Sequence, residues 1–469
     1  MILKNAKIYS EGLIRKGVIH IEKGLIKTIY FNPQEDQLTE LTKKKSNQTE
    51  IDCQNRLILP GIIDIHSHLR DMDQSNKETF LTGTKAAAFS GITTVFNMPN
   101  TIPPAITQDQ IKLWMKKAKN NIFIDVGFIA GVPEGMDEEI IKKILMLGVF
   151  GFKIYPLNSI NDIDWTDKEN IFKILNISSK YQIPIFIHAS YPLPKKERDQ
   201  IIKEFKQTTE SILEYHNRLD PEKSEEKFVK LIIECYYEFI NKNKSDPKLF
   251  PIIHFCHISC IESYSIIKKT QETDLNFNIT FEVTPHHLLL SNKIRLDNDN
   301  FGKVLPPLRE EKHPKFLFDQ LKAGNIKLIG TDHAPHTLEE KNQNFFKAPS
   351  GFPGFETYPL LLLDKVFNFQ LSLERFVEVS SEHPAKIFNL KKKGFIKEGY
   401  YADLYIVEKI PKFLINPKNF KTKSKFSPFK DFKSSVEIWK VFLKGHEINI
   451  EDAVPKGKIF KKILKNINS

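Results

Sequence analysis

The feature that most restricts the fold of this 469-residue chain is a repeated alternation of short apolar runs with longer stretches of helical spacing. The longer stretches place apolar residues three and four positions apart, as Ile140, Ile144 and Leu147 show. Strands that alternate with helices form parallel sheets, and eight such units predict an α/β fold, a (β/α)₈ barrel of the TIM type. The eight runs are residues 57–65, 93–96, 122–128, 149–154, 183–187, 251–255, 279–283 and 326–329.

The segments on either side of these units lack the alternation. Short strands are predicted near the start of the chain at residues 2–8, 17–21 and 25–30. Two more are predicted near its end, at residues 401–407 and 436–443. We therefore expect the two termini to build one small β-sandwich that flanks the barrel.

These patterns divide the chain into three predicted parts. Residues 1–56 form the N-terminal part of the β-sandwich, residues 57–390 the barrel, and residues 391–469 the C-terminal part of the sandwich with a tail. The charged segment 37–50 is predicted to be a surface loop. The stretch 191–248 is too long for one barrel helix, so we expect it to add helices outside the barrel.

Composition excludes several classes of function. Hydrophobic residues make up 41% and charged residues 27% of the chain, which is the balance of a soluble globular protein. No apolar run is long enough to span a membrane and the start carries no signal-peptide block, so we expect a cytoplasmic protein. Cys53, Cys235, Cys256 and Cys260 form no Cys-x-x-Cys pair, and we expect them to be reduced.

The net charge of +11 does not by itself predict a nucleic-acid partner. The lysines are spread along the chain, and their runs are short, as at residues 43–45, at 391–393 and in the basic tail after Gly457. No alternation of aromatic and basic residues accompanies them. We therefore expect a small-molecule substrate and neither nucleic acid nor membrane as a partner, and a homo-oligomer is compatible with the sequence.

The first barrel run ends in a motif that suits a metal ion. Side chains alternate along a strand, so His66 and His68 point the same way, with Asp64 one step behind them. Imidazoles are ligands for zinc-like ions, and the guanidinium of Arg70 can bind a carboxylate. Taken alone, the motif also permits the alternative of two buried histidines and a surface arginine.

Polar residues also follow most of the other barrel runs. Residues at the carboxyl ends of the strands face the active site of a (β/α)₈ barrel, and joint placement at six strand ends is hard to obtain by chance. We therefore predict that these residues form one site. They are His66, His68 and Arg70 after the first run, Asn97 and Asn100 after the second, Lys153 in the fourth, His188 after the fifth, His257 after the sixth and Asp332 after the eighth.

The number of candidate ligands predicts two metals rather than one. His66, His68, His188, His257 and Asp332 are one ligand too many for a tetrahedral zinc, and they suit two ions about 3.5–4 Å apart that share a bridging group.

Lys153 is the candidate for that bridge. An ammonium beside two dications is disfavoured, whereas a lysine amine that has reacted with carbon dioxide is an anionic, bidentate carbamate. We predict two Zn²⁺ bridged by N6-carboxylysine at Lys153; the alternative is a lysine that extends to the surface.

Motifs spread over nearly the whole chain resemble one enzyme family. The string Thr331-Asp-His-Ala-Pro-His336 together with His66-Ser-His-Leu-Arg70 is a specific combination, similar to that of the amidohydrolase superfamily and, within it, the dihydroorotases. This resemblance implies the flanking β-sandwich, the binuclear zinc site and the carboxylated Lys153. The other matching motifs include Asn97-Met-Pro-Asn100, Phe152-Lys153-Ile-Tyr155, Ile187-His188-Ala189, His257-Ile-Ser259, Thr284-Pro-His-His-Leu288, Pro306-Pro-Leu-Arg309, Pro349-Ser-Gly-Phe-Pro-Gly-Phe-Glu-Thr357 and Gly399-Tyr-Tyr-Ala-Asp-Leu404.

The resemblance also implies a reaction and roles for individual residues. The expected activity is the reversible, zinc-dependent hydrolysis of (S)-dihydroorotate to N-carbamoyl-L-aspartate, a step of de novo pyrimidine biosynthesis. Arg70, Asn100 and His336 would bind the substrate carboxylate, since they are donors that converge on an anion. Asp332 would be the catalytic group, which carries a proton from the attacking water to the departing ring nitrogen.

Two alternatives remain at this point. Hydantoinases and allantoinases are cyclic amide hydrolases that share the metal ligands but do not typically carry an arginine at the position of Arg70. A non-catalytic scaffold related to the dihydroorotases is the second alternative, although it has no need of a full set of metal ligands.

The chain departs from the family pattern at two positions. Ala189-Ser190 follows His188 where related sequences often have an acidic residue, and Leu305 stands where many have an asparagine that contacts the substrate ring.

Residues next to the motifs are expected to support the site rather than to bind metal. His254, His286, His287 and His333 are predicted to support the ligands or to lie in the core. Cys256 is predicted to face the opposite side of its strand from His257 and to lie in the core.

Overall fold

Two sheets organise the protein. The computed structural model describes residues 1–34, 49–157, 159–205, 211–243, 246–273, 277–449, 451 and 454–464. The predicted surface loop at residues 37–50 therefore lies outside the described residues, except for its last two positions. No helix among the described residues is long and apolar enough to cross a membrane.

The first sheet is parallel and curls into a barrel. Its seven strands lie side by side in chain order, and every residue of the first three is buried, as in sheets covered on both faces. The strands are β6 (Ile62–Ser67), β7 (Ile92–Asn97), β8 (Asp125–Gly131), β9 (Gly151–Ile154), β10 (Pro184–His188), β11 (Ile252–Cys256) and β12 (Ile279–Phe281).

The eighth predicted strand, residues 326–329, closes the barrel through single bridges. Ile329 bridges Val283, which follows β12, and His333 bridges Ser67 at the end of β6. Backbone hydrogen bonds continue this seam, since Asp332 N donates to His66 O over 2.9 Å. The segment forms no longer ladder, because the chain turns at Asp332, whose φ is +49°. The predicted (β/α)₈ barrel is confirmed.

The second sheet flanks the barrel and is built from both termini, as predicted. It is a mixed sheet of eight strands in the order β15-β14-β13-β5-β1-β2-β3, with β4 paired to β1. Its strands are β1 (Ile2–Ser10), β2 (Leu13–Glu22), β3 (Leu25–Phe31), β4 (Glu50–Asp52), β5 (Leu57–Pro60), β13 (Leu404–Leu414), β14 (Lys433–Leu443) and β15 (His446–Glu447).

The run at residues 57–65 was predicted as one barrel strand, and this prediction is wrong. β5 pairs with β1 and β13 of the flanking sheet, whereas β6 begins the barrel. The chain changes sheets at Gly61, where a Cβ atom would lie 2.2 Å from Oγ1 of Thr93, so a larger residue does not fit. The domain limits remain predictions, and the pairing of β5 favours a boundary at Gly61.

Helices cover the outside of the barrel. Several begin at a cap residue whose Thr, Asp or Ser side chain accepts a hydrogen bond from a backbone N–H in the first turn, as Thr79, Thr107 and Asp137 do. The helices are α1 (Phe80–Phe89), α2 (Gln108–Ala118), α3 (Glu138–Leu145), α4 (Lys168–Tyr181), α5 (Lys195–Glu204), α6 (Ile212–Leu219), α7 (Glu222–Asn243), α8 (Ile261–Thr273), α9 (Pro285–Leu289), α10 (Lys312–Ala323), α11 (Leu338–Lys341), α12 (Tyr358–Phe367), α13 (Leu373–Val377) and α14 (His383–Ile387).

The long stretch between β10 and β11 contains three helices. α7 packs against α4 and α8 and is therefore the barrel helix of this unit. α5 and α6 are the additional helices that the length of the stretch predicts.

The described part of the basic tail, predicted after Gly457, packs against the barrel. Lys458 O and Phe460 N pair with the backbone of Val126, and the ring of Phe460 stacks on Phe150 at 5.6 Å. Val126 and Phe150 lie near the amino ends of β8 and β9. The tail therefore covers the end of the barrel opposite the predicted site.

Candidate active site

One cavity at the carboxyl ends of the barrel strands contains the predicted site residues. Its volume is about 360 Å³. The cavity is also lined by residues that the sequence did not predict as part of the site, notably Gln74, Tyr155, Leu157 and Ser350. Asn97 is the one strand-end candidate outside the lining, since its side-chain oxygen accepts a hydrogen bond from Leu69 N. The predicted residues in the lining are His66, His68, Arg70, Asn100, Lys153, His188, His257, Asp332 and His336.

The candidate metal ligands form two touching groups. Oδ1 of Asp332 lies 2.9 Å from Nε2 of His68 and 3.4 Å from Nε2 of His66. Nδ1 of His188 lies 3.0 Å from Nε2 of His257. The rings of His66 and His257 are 5.2 Å apart and join the two groups. His66, His68 and Asp332 each offer a ligand atom within 4.8 Å of the others, which is a suitable arrangement for a metal ion.

The protonation states of these groups favour metal binding. Burial lowers the pKa of His68 to about 4 and that of His188 to about 3, and it holds the pKa of His257 well below its usual range. Burial alone would raise the pKa of Asp332, but His66 and His68 lower it below its ordinary value. His68, His188 and His257 are therefore neutral imidazoles and Asp332 is a carboxylate, the forms that ligate divalent metals. Burial and Lys153 oppose the protonation of His66, but Glu282 and Asp332 raise its pKa to about 10, so this ring has to lose a proton to bind a metal.

Lys153 is the anomalous residue of the site. It lies in β9 with 1% of its surface exposed, and its Nζ has no hydrogen-bond partner among the described residues. Its Nζ lies 5.2 Å from the centroid of the Tyr155 ring. An unmodified ammonium without a partner is costly in such a place, so this amine fits a modified, anionic form.

Two buried carboxylates, Glu282 and Asp64, contact His66. Glu282 contacts Nδ1 of His66, and its other oxygen lies 3.3 Å from Nε2 of His254. Asp64 accepts hydrogen bonds from His66 N at 3.2 Å and from Thr331 N at 2.9 Å. The sequence analysis noted Asp64 without a role and missed Glu282, although a single acid inside the apolar run 279–283 is a signal.

Cys256 is buried, as predicted, but the prediction that it faces away from the site is wrong. Its sulfur lies within 4.8 Å of ligand atoms of His66 and Glu282, beneath the site. His257 does not alternate with it, because the chain leaves the strand there with φ +39°. All four cysteines are free, as predicted.

The neighbouring histidines have other partners. His333 stacks on Phe355 at 3.8 Å, and His287 lies 2.8 Å from Oγ1 of Thr284. His254 contacts Glu282, as described above.

Arg70 lies in the cavity wall with a guanidinium that can bind an anion. The residue is 5% exposed, with Nε donating to Pro335 O at 3.3 Å and Nη2 lying 3.2 Å from Nε2 of His336. Among the described residues, no carboxylate lies within 4.0 Å of its guanidinium. Asn100 accepts a hydrogen bond from Nδ1 of His68 through Oδ1, at 2.6 Å, which leaves its amide N–H groups for a ligand.

The two departures from the family pattern have structural consequences. Leu305 lines the cavity with an apolar side chain. Ser190 does not line it, and its hydroxyl donates to Oδ1 of Asp220 instead. Neither residue offers a polar contact to a ring in the cavity.

Comparison with known proteins identifies the class of enzyme. The amidohydrolase family matches residues 57–448, and the chain therefore belongs to this family. The predicted superfamily is confirmed. Membership implies a metal cofactor, in agreement with the cluster of His66, His68 and Asp332.

Curated relatives of the chain carry a more particular name. The dihydroorotase of Methanosphaera stadtmanae is 33% identical over 432 residues, which cover 92% of each chain. The dihydroorotase of Pyrococcus abyssi is 32% identical over 454 residues, which cover 96% of this chain and 95% of the relative.

Solved structures share the fold. The L-hydantoinase (dihydropyrimidinase) of Arthrobacter aurescens superposes with a TM-score of 0.84 at 24% identity, over 98% of this chain and 99% of that one. The dihydropyrimidinase of Brevibacillus agri gives 0.82 at 22% identity, over 98% of each chain.

Proposed function

We propose that this protein is a dihydroorotase, which reversibly hydrolyses (S)-dihydroorotate to N-carbamoyl-L-aspartate in pyrimidine biosynthesis. The observation that carries the proposal is the buried, carboxylate-free guanidinium of Arg70 beside the His–Asp cluster, in one cavity. A ring amide that also carries a carboxylate fits both features. The two dihydroorotases that align over more than nine-tenths of their own length support the same assignment.

The donor set of the cavity fits two zinc ions. The neutral imidazoles of His68, His188 and His257, the ionised Asp332 and the amine of Lys153, which has no hydrogen-bond partner among the described residues, suit a pair of dications and a bridging carbamate. When bound, the metals would lower the pKa of a water molecule and polarise the ring carbonyl. The residues that would hold them are His66, His68, Lys153 as N6-carboxylysine, His188, His257 and Asp332.

The remaining side chains orient the substrate. Arg70, Asn100 and His336 bind its carboxylate through charged and neutral hydrogen bonds. Burial lowers the pKa of His336 to about 3, so this ring is neutral and can donate one N–H. Because the carboxylate is anchored at this wall, the ring amide lies towards Asp332 and the imidazoles.

Asp332 moves the proton. The water oxygen adds to the ring carbonyl carbon, Asp332 accepts the proton released, and the C–N bond breaks as that proton passes to the ring nitrogen. In the ring-closing direction the same carboxylate removes the proton from the carbamoyl nitrogen. Oδ1 of Asp332 lies 2.9 Å from Nε2 of His68, so the carboxylate faces the candidate ligands in the cavity.

A hydantoinase-like activity is the second candidate, and Leu305 is the observation that favours it. An apolar wall at this position suits a ring that carries no carboxylate. The scaffold alternative is disfavoured, since every predicted ligand lines the same cavity.

Substitution of Arg70 separates the two activities. A hydrogen bond to a charged group contributes roughly 1.5–3 kcal/mol, so Arg70→Met should lower kcat/KM for dihydroorotate by about 10- to 100-fold. Hydantoin, which lacks the carboxylate, should lose little. A parent enzyme that prefers hydantoin, or a variant that loses both activities equally, would contradict the proposal.

A further inference from the structure

A second cavity adjoins the candidate active site, and the mechanism above does not use it. Its volume is about 410 Å³. Leu157, Leu305, Pro349 and Ser350 line both cavities. All four are half-exposed, so solvent reaches the boundary between the cavities. The two cavities therefore share an open rim.

The charged side chains that line the second cavity are mainly cationic. Arg198, Lys303 and Lys347 line it, against one carboxylate, Asp220. Arg198 and Lys347 are exposed, whereas Lys303 is 9% exposed. Burial lowers the pKa of Lys303 to about 8, so the group still carries its charge at neutral pH.

Lys303 is held in place by the loop that borders both cavities. Its Nζ donates to the carbonyl oxygens of Phe345 and Ala348, both at 2.6 Å. An ammonium has three N–H donors, so one remains for a ligand.

Asp220 does not cancel this positive charge. It is 3% exposed; one of its oxygens accepts from Ser190, and its backbone oxygen accepts from Nη1 of Arg309 at 2.6 Å. Burial raises the pKa of Asp220 to about 6, while Arg309 lowers it. His216 adds no charge of its own, since burial lowers its pKa to about 3. The net field in this cavity is therefore positive.

The walls of the cavity come from the insertion between β10 and β11. Arg198 lies on α5, and His216 lies on α6. These two helices are additional to the barrel, and both contribute side chains to the wall of the second cavity.

We propose that this second cavity is an antechamber that collects anionic substrate, above all the open-chain dicarboxylate N-carbamoyl-aspartate, and supplies it to the active site. The inference rests on the proposed function. Clefts lined by charge of one sign raise the local concentration of oppositely charged ligands, and they do so more strongly for higher ligand charge. In the same potential, the electrostatic energy of a dianion is twice that of monoanionic dihydroorotate. The fold-change in kcat/KM for the dianion should therefore be about the square of that for dihydroorotate.

The test compares two double variants with the same loss of charge. Arg198→Gln/Lys347→Gln removes two exposed cations of the cavity. Lys195→Gln/Lys196→Gln removes two exposed cations from the start of α5 that do not line the cavity, and it is the matched control. Both directions of the reaction are assayed at about 10 mM and about 0.5 M ionic strength, where the Debye lengths are roughly 30 Å and under 8 Å.

At low salt, the cavity variant should lose about tenfold in kcat/KM for N-carbamoyl-aspartate and about threefold for dihydroorotate, within the range known for electrostatic steering. The loss should lie in KM with kcat retained, and it should shrink below about twofold at high salt. The control should stay within about twofold of the parent.

Equal losses for the two substrates, a loss that persists at high salt, an unchanged cavity variant or an equal loss in the control would each overturn the antechamber. A parent that does not turn over dihydroorotate overturns the proposed function and this inference with it. An active parent with an unaffected cavity variant overturns this inference alone.

Discussion

Glu282→Gln is the sharpest test of how the site holds its metals. Glu282 is fully buried and contacts Nδ1 of His66, while its second oxygen lies 3.3 Å from His254. Burial opposes ionisation, but His66 and His254 lower the pKa of Glu282 to about 2, so the group is a carboxylate. Such a carboxylate fixes the orientation of a ligating imidazole and raises its basicity. Gln keeps the shape and removes the charge.

The expected magnitude follows from the contact that is lost. A hydrogen bond to a charged group contributes roughly 1.5–3 kcal/mol, and about 1.4 kcal/mol corresponds to a factor of ten. Metal affinity should therefore fall by about 10- to 100-fold, the range typical of residues that support a metal ligand. Activity at saturating metal should fall less, because Asp332 and the side chains proposed to bind the substrate carboxylate are untouched.

The measurement is competition with a chelator of known affinity, followed by metal analysis of the protein. Glu356→Gln is the matched control, because Glu356 is also buried but accepts from Lys421 N and Thr422 N and does not line the cavity. Metal affinity within about twofold of the parent in Glu282→Gln would refute the reasoning, as would an equal loss in Glu356→Gln.

Four further outcomes are expected. Lys153→Ala should contain less than one metal equivalent where the parent contains more than one, and a short carboxylic acid in solution should restore part of its activity; activity without metal in the parent would contradict this. Asp332→Asn should lower the rate by roughly 10²- to 10⁴-fold, and activity within a few-fold of the parent would exclude Asp332 as the proton carrier. Ser424→Ala should raise KM for dihydroorotate about 3- to 10-fold with kcat nearly unchanged, because Ser424 Oγ accepts from His336 N at 2.9 Å and donates to His336 O at 2.6 Å; a loss confined to kcat would contradict it. Burial raises the pKa of Glu356 to about 7. Its contribution to the free energy of unfolding is therefore fully present below about pH 4.5 and is lost as the pH rises through 7, because the buried carboxyl then has to ionise. Glu356→Gln should change Tm little at pH 5 and raise Tm at pH 8, and an equal change at both pH values would contradict this.

The barrel and its ligands could be predicted because the signals are local. Each barrel strand is a short apolar run, and each ligand is the polar residue that ends or interrupts such a run. The change of sheet at Gly61 has no such signal, since residues 57–60 are apolar and residues 62–65 are apolar as well, apart from Asp64. What separates them is the pairing of β5 with β13, almost 350 residues further along the chain.

The residues that contact the candidate ligands and His336 were harder to predict, because their partners are also distant in sequence. Glu282 is recognisable as an acid in an apolar run, but its partner His66 lies 216 residues earlier. Ser424 belongs to a segment without any motif, and only the fold brings it to His336. Cys256 was misplaced because the alternation of side chains fails where the strand ends, at His257.

The candidate metal ligands and Arg70 lie in different parts of the barrel. A fold shared with hydantoinases is therefore compatible with dihydroorotate as the proposed substrate. The candidate metal ligands lie on or directly after strands of a rigid parallel sheet, which related enzymes retain. Arg70 lies just beyond β6, where it and the next two residues have φ between +51° and +60°. Left-handed backbone at three consecutive non-glycine residues costs energy, and it persists where the surrounding structure requires that conformation. The turn therefore places Arg70 beside His336 and outside the strands that carry the candidate ligands. In such a fold, loops can alter substrate choice while the strands keep the groups that bind metal.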